Sequence, residues 1–465
     1  MAIKVLIIIP DGVSLRNYVY TDFARLAKQE GIELVYWNNT PLDLQAIGYR
    51  EMKFPKVKLH WQTDALKNAI KRLELNKFKV QTGNPIFDAY TFTWNTKGIK
   101  NKFKTLLAKR YIRKNPTPEY ILRLREKLKK QEASTPYYKK CLQSIKDIQP
   151  DLVFCASQRP IAAVAPMEAA KTLGIPTACA IFSWDNLPKA TLVVEADHYL
   201  VWSEHMKKEI AMYYPFTKQS QVHITGTPQF ENHYEKTTLQ SRVKFFEAYG
   251  LDTANQYICF SGDDVTTSPF DPQYLADVAN AVGVYNSSRE KKVGIIFRRC
   301  PVDFSNRYDW VLKKYRDIVI PVAPLWESVG AQWDKKIPTK ADLQLQANIA
   351  HHTQLVINVG SSMVFDYAAH GKPCAYLNYN PEGSDTTIKD IYKIYKYVHF
   401  QSMPDKKAVV WLDSKETILH HLITILDKES YNLQETHRWF EKIVHHPVEK
   451  SSNRIIAALQ TTYSS

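Results

Sequence analysis

Short apolar runs alternate with amphipathic helical stretches along most of the chain. Buried parallel strands read as continuous apolar runs, so this alternation predicts an α/β fold built on parallel sheets. The first array has predicted strands at 3–9, 32–37, 151–155, 176–182, 198–202 and 222–225, and helices at 17–30 and 160–173. The second array has predicted strands at 257–260, 293–297, 318–321, 355–358 and 375–377, and helices at 271–286 and 361–370.

The pattern restarts after a polar helical stretch near residues 235–255, which predicts two domains. A length of 465 residues fits that number. We assign residues 1–235 to an N-terminal Rossmann-like domain, 250–427 to a second one and 428–465 to terminal helices. The two domains are expected to face a common cleft.

One segment of the first domain breaks the alternation. Residues 97–149 show no strand pattern and consist of helix-forming polar sequence, which predicts a basic helical insert. They hold sixteen basic and four acidic residues, and so carry +12 of the chain's net charge of +15. A charge of this size indicates an anionic partner.

Within this segment Phe103, Leu106, Leu107 and Tyr111 form one apolar stripe on a predicted helix with cationic flanks. Such a helix can lie on an anionic membrane surface. It can equally be an ordinary helix that packs Phe103 and Leu107 on its own domain and exposes a solvated basic face. Nucleic acid is disfavoured as a partner, because no recognition motif accompanies the charge.

The compartment follows from what the sequence contains. The apolar run at residues 5–9 is shorter than the ~7–15 residues of a signal peptide core. No window approaches the ~18 apolar residues that span a bilayer. The six cysteines are scattered and are expected to be free thiols of a reducing compartment. We expect a cytoplasmic protein, peripheral on the inner face of the plasma membrane if the basic segment binds lipid.

A candidate phosphate site lies where the strand at 355–358 meets the following helix. Gly360, Ser361 and Ser362 would present free amides and hydroxyls at a helix N-terminus, a geometry that binds phosphate. The serines can instead be plain N-cap residues. Asp366, one turn further on, would reach a ligand hydroxyl or remain a solvated helix residue.

Two more strand ends are expected at the same edge of the second sheet. Arg298 and Arg299 end one strand, and a guanidinium suits a diphosphate because it donates two parallel bonds. We expect one of the two to point into solvent. Gly262 and Asp263 end another strand. They would either contact the donor substrate or form a plain turn.

Polar residues also follow the strands of the first domain. Asp11 and Asp185 are candidate general bases for an acceptor hydroxyl, or turn and cap aspartates. Trp184 would be an aromatic platform or a plug at the base of the domain. The remaining acceptor-binding candidates are Ser14, Arg16, Asn17, Ser157 and Gln158.

Metal and covalent chemistry find little support in the sequence. The histidine pairs at 351–352 and 445–446 lack metal-ligand spacing. No nucleophile elbow and no P-loop occurs.

Three stretches carry a family resemblance: residues 183–187 (Ser-Trp-Asp-Asn-Leu), 222–230 (Val-His-Ile-Thr-Gly-Thr-Pro-Gln-Phe), and 361–366 (Ser-Ser-Met-Val-Phe-Asp) with Gly-Lys-Pro at 371–373. Together they resemble bacterial surface-polysaccharide transferases of the GT-B fold. The third also resembles the CDP-glycerol glycerophosphotransferases, which carry a His where this chain has Cys300. The resemblance implies donor phosphates at Ser361, Ser362 and Arg298 or Arg299, and no metal or cofactor besides a nucleotide-diphosphate sugar as co-substrate.

The expected function is therefore metal-independent transfer of a sugar from a nucleotide-diphosphate donor. The acceptor would be a hydroxyl of a bacterial surface glycan or a lipid-linked acceptor. Three alternatives stay open: a CDP-glycerol or ribitol type of polyol-phosphate transferase, a nucleotide-sugar epimerase of the same fold, and a non-catalytic nucleotide-binding scaffold subunit.

Overall fold

The computed structural model describes residues 2–91, 93–113, 116–328, 336–427 and 432–464. The chain forms two compact units. The first unit comprises residues 1–228, 397–399 and 443–465, and the second comprises 229–396 and 400–442.

The strands and helices alternate in chain order. The strands are β1 (Ile3–Ile9), β2 (Ile32–Asn38), β3 (Glu51–Lys53), β4 (Leu152–Cys155), β5 (Thr177–Ala180), β6 (His198–Val201), β7 (Val222–Ile224), β8 (Gln256–Ser261), β9 (Val293–Arg298), β10 (Val319–Pro321), β11 (Trp326–Ser328), β12 (Lys336–Pro338), β13 (Val356–Asn358), β14 (Cys374–Leu377) and β15 (Val410–Leu412). The α-helices are α1 (Leu15–Tyr18), α2 (Phe23–Gln29), α3 (Thr63–Thr82), α4 (Ile99–Tyr111), α5 (Pro118–Glu132), α6 (Pro136–Ile148), α7 (Val164–Thr172), α8 (Glu204–Tyr213), α9 (Arg242–Ala248), α10 (Asp271–Ser287), α11 (Asp309–Lys314), α12 (Lys340–His352), α13 (Met363–Ala368), α14 (Lys415–Leu426), α15 (Gln434–Ile443) and α16 (Ser451–Tyr463).

The first unit is built on a parallel sheet in the order β3-β2-β1-β4-β5-β6-β7. Its central strand β1 is fully buried from Val5 to Ile9, as a strand covered on both faces must be. The strand order reverses between β1 and β4. The carboxyl ends of these two strands therefore flank the topological switch point of this sheet.

The second unit repeats this design with the order β10-β9-β8-β13-β14-β15, again parallel throughout. Its switch point lies between β8 and β13. A separate antiparallel pair, β11 and β12, joins Trp326 to Pro338. Two Rossmann-like α/β domains, as the sequence predicts, are confirmed.

The helix predicted at 17–30 is instead two short helices, α1 and α2. The Thr21 hydroxyl donates to the carbonyl of Asn17 at 2.6 Å and accepts from the amide of Phe23 at 3.4 Å. A side chain that bonds to the local backbone in this way competes with the helical ladder and interrupts it. The helix predicted at 361–370 is also shorter, from Met363 to Ala368.

The polar stretch after residue 228 packs on the second unit and is not a free linker. The Asn348 side chain on α12 accepts from the amide of Gln240 at 2.7 Å and donates to the carbonyl of Thr238 at 2.9 Å. The terminal helices divide between the units. Trp439 of α15 contacts Phe365 in the second unit, with ring centroids 5.0 Å apart. Arg454 of α16 donates to the carbonyl of Thr225 in the first unit.

The basic segment is helical, as predicted, and forms α4, α5 and α6. Thr117 and Thr135 cap α5 and α6, each followed by a proline at the first helical position. Part of its charge is structural, because the buried Arg125 of α5 donates to Glu74 of α3 at 2.6 Å and to Glu195 at 3.0 Å. The described part of the chain has no helix long and apolar enough to cross a membrane. All six cysteines are free thiols, and five of them are buried.

Candidate active site

The carboxyl ends of β9, β8 and β13 lie side by side in the second sheet. The register pairs Arg298 of β9 with Ser261 of β8, and Phe260 of β8 with Ile357 of β13. Adjacent strands are about 4.8 Å apart, so the turns that begin at Gly262 and Gly360 start at neighbouring points. The predicted donor-site residues of all three strands thus meet at the switch point, where parallel α/β sheets bind their ligands.

Arg298 is buried and carries an internal partner that the sequence did not reveal. Its Nη2 donates to both carboxylate oxygens of Asp342 on α12, each at 2.9 Å. Asp342 also accepts from the amide of Leu325 at 2.8 Å and from Nε1 of Trp326 at 2.6 Å. The Nη1 of Arg298 is buried and has no hydrogen-bond partner within the described ranges. The guanidinium is therefore held through Nη2 by Asp342, and Nη1 is a buried donor that the described residues leave unsatisfied.

One of the two arginines was expected to point into solvent, and neither does, since Arg298 is buried and Arg299 is half-buried. Arg299 is half-buried, and its Nη2 donates to the carbonyl of Ser305 at 2.7 Å. Its guanidinium carbon lies 5.3 Å from the ring centroid of Tyr308. These contacts fix the loop that follows β9.

Asp263, just beyond the end of β8, is a carboxyl group poised near neutrality. Burial, and next the neighbouring Asp271 carboxylate, raise the pKa of Asp263 to about 7. Its backbone is fixed, because its amide donates to Asp271 at 2.5 Å and its carbonyl accepts from Arg307 at 2.6 Å. A perturbed carboxyl group at a ligand-binding edge is a candidate acid or base.

The neighbouring Gly262 is required by packing. A Cβ at this position would lie 2.8 Å from the Tyr308 hydroxyl and 3.1 Å from the ring of Phe297. The glycine therefore permits the close approach of these rings beneath the turn.

The turn from β13 into α13 is closed by hydrogen bonds between its own residues, which the sequence did not predict. Gly360 has φ = +64°, and a Cβ there would lie 2.9 Å from the ring of Phe400. The amide of Ser361 donates to Oδ1 of Asn358 at 2.8 Å, and its hydroxyl accepts from the amide of Met363 at 3.3 Å. Ser362 is exposed. Of the two predicted serines, Ser361 thus stabilises the turn and Ser362 faces outward.

Asp366 is neither solvated nor directed at an open surface. It is buried, and its Oδ1 hydrogen bonds to Nε2 of His233 at 2.8 Å and accepts from Gln346 at 2.9 Å. His233 in turn contacts His370 at 3.0 Å. Burial, and next His233, lower the pKa of His370 to about 2, so this histidine stays neutral. Asp366 therefore anchors a buried polar cluster.

In the first unit, Asp11 acts as a cap. Its Oδ1 accepts from the amide and the hydroxyl of Ser14, at 3.0 and 2.8 Å, and so closes the turn after β1. Arg16 is half-buried on α1. Asn17 is buried, and its Nδ2 lies 3.5 Å from the Thr227 hydroxyl. The contacts of Asp11 fit a cap aspartate, which was the alternative to a general base.

The ends of β4 and β5 are braced by buried amides. Gln158 donates to Oδ1 of Asn186 at 2.9 Å and accepts from the amide of Phe182 at 2.9 Å. Ser157 is buried, and its hydroxyl accepts from the amide of Arg159. Trp184 is buried against His399, with ring centroids 5.0 Å apart, so it offers no exposed aromatic face.

Asp185 is ion-paired with Lys189 and accepts from Nδ2 of Asn186 at 2.8 Å. Burial by itself would raise the pKa of Asp185, but the Lys189 ammonium and the nearby His399 hold it well below its ordinary value. A carboxylate with a strongly lowered pKa is a weak base. Asp263 is accordingly the better acid–base candidate of the two.

Sequence reasoning missed a polar cavity of about 290 Å³ in the first unit, lined by residues of α3 and α4 and by Thr91, Thr93, Trp94 and Asn95. It missed Asp342, His233 and Arg307 as well. In the described part of the chain no group of three or more His, Cys, Asp or Glu side chains is placed to hold a metal ion.

No protein-family model matches the chain, and no curated protein sequence matches it. Solved structures do resemble it over its full length. A protein from Listeria monocytogenes assigned as a UDP-N-acetylglucosamine 2-epimerase is 12% identical, with a TM-score of 0.56, covering 100% of this chain and 97% of that one. MnaA from S. aureus, solved with UDP, is 10% identical, with a TM-score of 0.52, covering 98% and 95%.

A third similar structure is the UDP-GlcNAc 2-epimerase from Methanocaldococcus jannaschii. It is 12% identical, with a TM-score of 0.51, covering 99% of this chain and 100% of that one. Identities this low concern the fold. The likeness confirms the predicted GT-B-like architecture of two α/β domains across the whole chain.

Proposed function

We propose that the chain is an enzyme that binds a nucleotide-diphosphate sugar on its second unit and acts on the sugar there. The observation that carries this proposal is the grouping at the switch point of the second sheet. Asp263, whose pKa is raised to about 7, lies beside the turn that exposes Ser362. A group that titrates near neutrality can both release and take up a proton at pH 7.

The same edge offers donors for a diphosphate. The Ser362 hydroxyl is exposed, and the φ of +64° at Gly360 turns the backbone at this point. Behind them lies the buried Arg298, whose charge is balanced by Asp342.

Two reactions on such a donor are supported by different observations. The solved structures favour epimerisation, because the named neighbours with the higher TM-scores include UDP-GlcNAc 2-epimerases. Sugar transfer, the reaction expected from the sequence motifs, needs a second substrate, and the polar cavity of the first unit supports it. Epimerisation is therefore the first reaction to test, and transfer the second.

The reaction is tested by following nucleotide sugars with ¹H NMR. UDP-, GDP-, CDP- and dTDP-sugars are incubated with the chain, with and without a glycan or polyprenyl-phosphate acceptor. A second UDP-linked sugar formed without acceptor identifies an epimerase, whereas release of the nucleotide only with acceptor identifies a transferase. A CDP-polyol consumed in the same screen identifies a polyol-phosphate transferase. Consumption of none of these compounds would refute the proposal.

Asp263→Asn tests the proposed acid or base. We expect the rate to fall about a hundredfold while nucleotide binding persists. The matched control is Asp317→Asn, since the side chain of Asp317 is 92% exposed. We also expect EDTA to leave the rate unchanged, because the proposed chemistry uses protein groups alone.

We further propose that α4 docks the chain on an anionic membrane surface. Ile99, Phe103 and Leu106 on one face of this helix are 88%, 55% and 69% exposed, while its buried residues are Thr105 and Ala108. Trp61 stacks on Phe103 with ring centroids 6.1 Å apart and enlarges the apolar patch. Phe103 is thus not packed in a core, which favours lipid over the alternative of an ordinary packed helix.

Basic side chains flank this apolar face. At 3.6 residues per turn, Lys102 and Lys109 lie along one edge of the apolar face, and Arg110 lies on the face itself. All three side chains are exposed. Each such charge near an anionic surface contributes about 1 kcal/mol. Cosedimentation with phosphatidylcholine vesicles should therefore require added phosphatidylglycerol.

The double variant Phe103→Ser/Leu106→Ser is expected to lower vesicle binding about tenfold or more. Val284→Ser is the control, because Val284 is 57% exposed on the second unit. Equal binding to neutral and anionic vesicles, or unchanged binding by the double variant, would contradict the membrane proposal.

A further inference from the structure

The cavity of the first unit has a lining suited to an anion. Its volume is about 290 Å³, close to the lower end of ordinary small-molecule sites. Three basic residues and one acidic residue line it, among amides and hydroxyls. The lining residues that carry the argument are Asn68, Lys71, Arg72, Trp94, Asn101 and Lys104.

The positive charge in this cavity exceeds the negative charge. The single carboxylate, Asp64, is paired with Lys104 at 2.5 Å. The charged groups that act most strongly on Lys71 are all cations, namely Lys189, Arg159, Lys67 and Arg72. Burial, and next these cations, lower the pKa of Lys71 to about 8. Like charges gathered at a partly buried site are unfavourable by themselves and become favourable when an anion binds.

The guanidinium in the cavity is oriented before any ligand arrives. The Cζ of Arg72 lies 3.7 Å from the ring centroid of Trp94, a cation–π contact that fixes its plane. Lysine supplies a mobile point charge beside it, and the amides of Asn68 and Asn101 add hydrogen-bond donors. This combination matches the several oxygens and the double charge of a phosphate.

We propose that this cavity binds the phosphate or diphosphate group of a second substrate, apart from the nucleotide of the second unit. Arg159 follows β4, and Lys189, which is ion-paired with Asp185, follows β5, so the charged groups around Lys71 extend toward the carboxyl edge of the first sheet. The inference names a substrate class for the proposed enzyme, but the binding itself rests on the first unit alone.

The position of α4 connects this ligand with a lipid. Asn101, Lys104 and Thr105 line the cavity, while Ile99, Phe103 and Leu106 are exposed. At 100° per residue these two sets lie on opposite faces of the helix. The phosphate can belong to a lipid-linked substrate or to a soluble one, and both are tested.

Binding is measured by calorimetry with inorganic diphosphate and with geranyl diphosphate, a soluble prenyl diphosphate. Lys71→Met should weaken both about tenfold or more, since it removes a charge-assisted contact to phosphate. Arg72→Lys keeps the charge but loses the paired donors, and should weaken both several-fold. Tighter binding of geranyl diphosphate would assign a lipid-linked substrate, and equal binding a soluble one.

Lys130→Gln is the matched control, because it removes one exposed positive charge of α5 away from the cavity. Ser362→Ala, in the second unit, should leave diphosphate affinity at the cavity unchanged, which separates this proposal from that of the nucleotide site.

The melting temperature of Lys71→Met distinguishes a lysine that serves binding from one that stabilises the fold. Without ligand, Lys71→Met should raise the melting temperature by about 2 °C, because it removes a cation that its surroundings oppose. The proposal is overturned if neither diphosphate binds, if Lys130→Gln weakens binding as much as Lys71→Met, or if Lys71→Met lowers the melting temperature.

Discussion

The two units share a parallel-sheet design, but one cation in each has contrasting surroundings: Arg298 of the second unit is buried and paired, and Lys71 of the first unit is half-buried among other cations. In the second unit Arg298 is held by both oxygens of Asp342, and Arg307 lies 2.7 Å from Asp303. In the first unit Lys71 is surrounded mainly by other cations. The contrast belongs to these two sites and not to the units as wholes, because Arg125 of the first unit is buried and paired with Glu74 and Glu195.

The contrast separates a charge that serves the fold from charges that suit a ligand. A paired buried cation is part of the framework, and removing its partner leaves a charge that nothing compensates. A cluster of like charges opposes folding and persists where binding needs it.

The largest expected effect is that of Asp342→Asn. It leaves the buried guanidinium of Arg298 without a counter-charge, and should lower the free energy of unfolding of the second unit by about 3–5 kcal/mol. Urea unfolding followed by tryptophan fluorescence measures it. Asp317→Asn, at an exposed position, should change it by less than about 0.5 kcal/mol. A loss below 1 kcal/mol for Asp342→Asn would mean that the pair is not part of the framework.

A smaller effect is expected at the turn that carries Ser362. Gly360→Ala both strains a φ of +64° and brings Cβ to 2.9 Å from Phe400, and should lower the free energy of unfolding by about 3 kcal/mol. Gly371→Ala has nearly the same φ, +62°, and open space around the Cβ. Gly371→Ala should lower the free energy of unfolding by only about 1 kcal/mol. Equal losses in the two variants would show that Phe400 does not restrict the turn.

The buried histidines of the second unit should make it sensitive to acid. Burial lowers the pKa of His352 to about 4, and in the unfolded chain it returns to about 6.5. Between these values the unfolded state binds the additional proton, so the free energy of unfolding falls as the pH falls. His352 is expected to contribute a slope of about 1 kcal/mol per pH unit, and His370, whose pKa burial lowers to about 2, a similar one.

His352→Gln should reduce this slope by about 1 kcal/mol per pH unit between about pH 6.5 and 4, while the contribution of His370 remains. His420→Gln, at an exposed histidine, should leave it unchanged. Urea unfolding at several pH values measures both. The same slope in the wild type, His352→Gln and His420→Gln would contradict a role for His352.

The strands could be predicted because buried parallel strands are continuous apolar runs, as Val5 to Ile9 in β1 illustrates. Their alternation with helices then fixed the fold class. The helix α3 was missed, although its buried Leu66, Ile70 and Leu73 have helical spacing. That signal was present in the sequence.

The pairing of charges could not be predicted in the same way. Asp342 lies forty-four residues beyond Arg298, and only the packing of α12 near β9 joins them. The electrostatic environment of Lys71 depends on Arg159 and Lys189, which are distant in sequence and follow other strands. The sequence identified Gly360, Ser361 and Ser362 as a turn, but which serine faces outward depends on Asn358, which bonds the amide of Ser361.

The most direct test of the account is calorimetric titration of UDP-, GDP-, CDP- and dTDP-sugars into the wild type, Ser362→Ala and Lys71→Met. At least one nucleotide sugar should bind the wild type and Lys71→Met with the same affinity. Ser362→Ala should bind it about tenfold more weakly, because it loses one hydrogen bond to a charged phosphate. Binding of none of the four, or equal binding by Ser362→Ala and the wild type, would contradict a nucleotide-sugar site on the second unit.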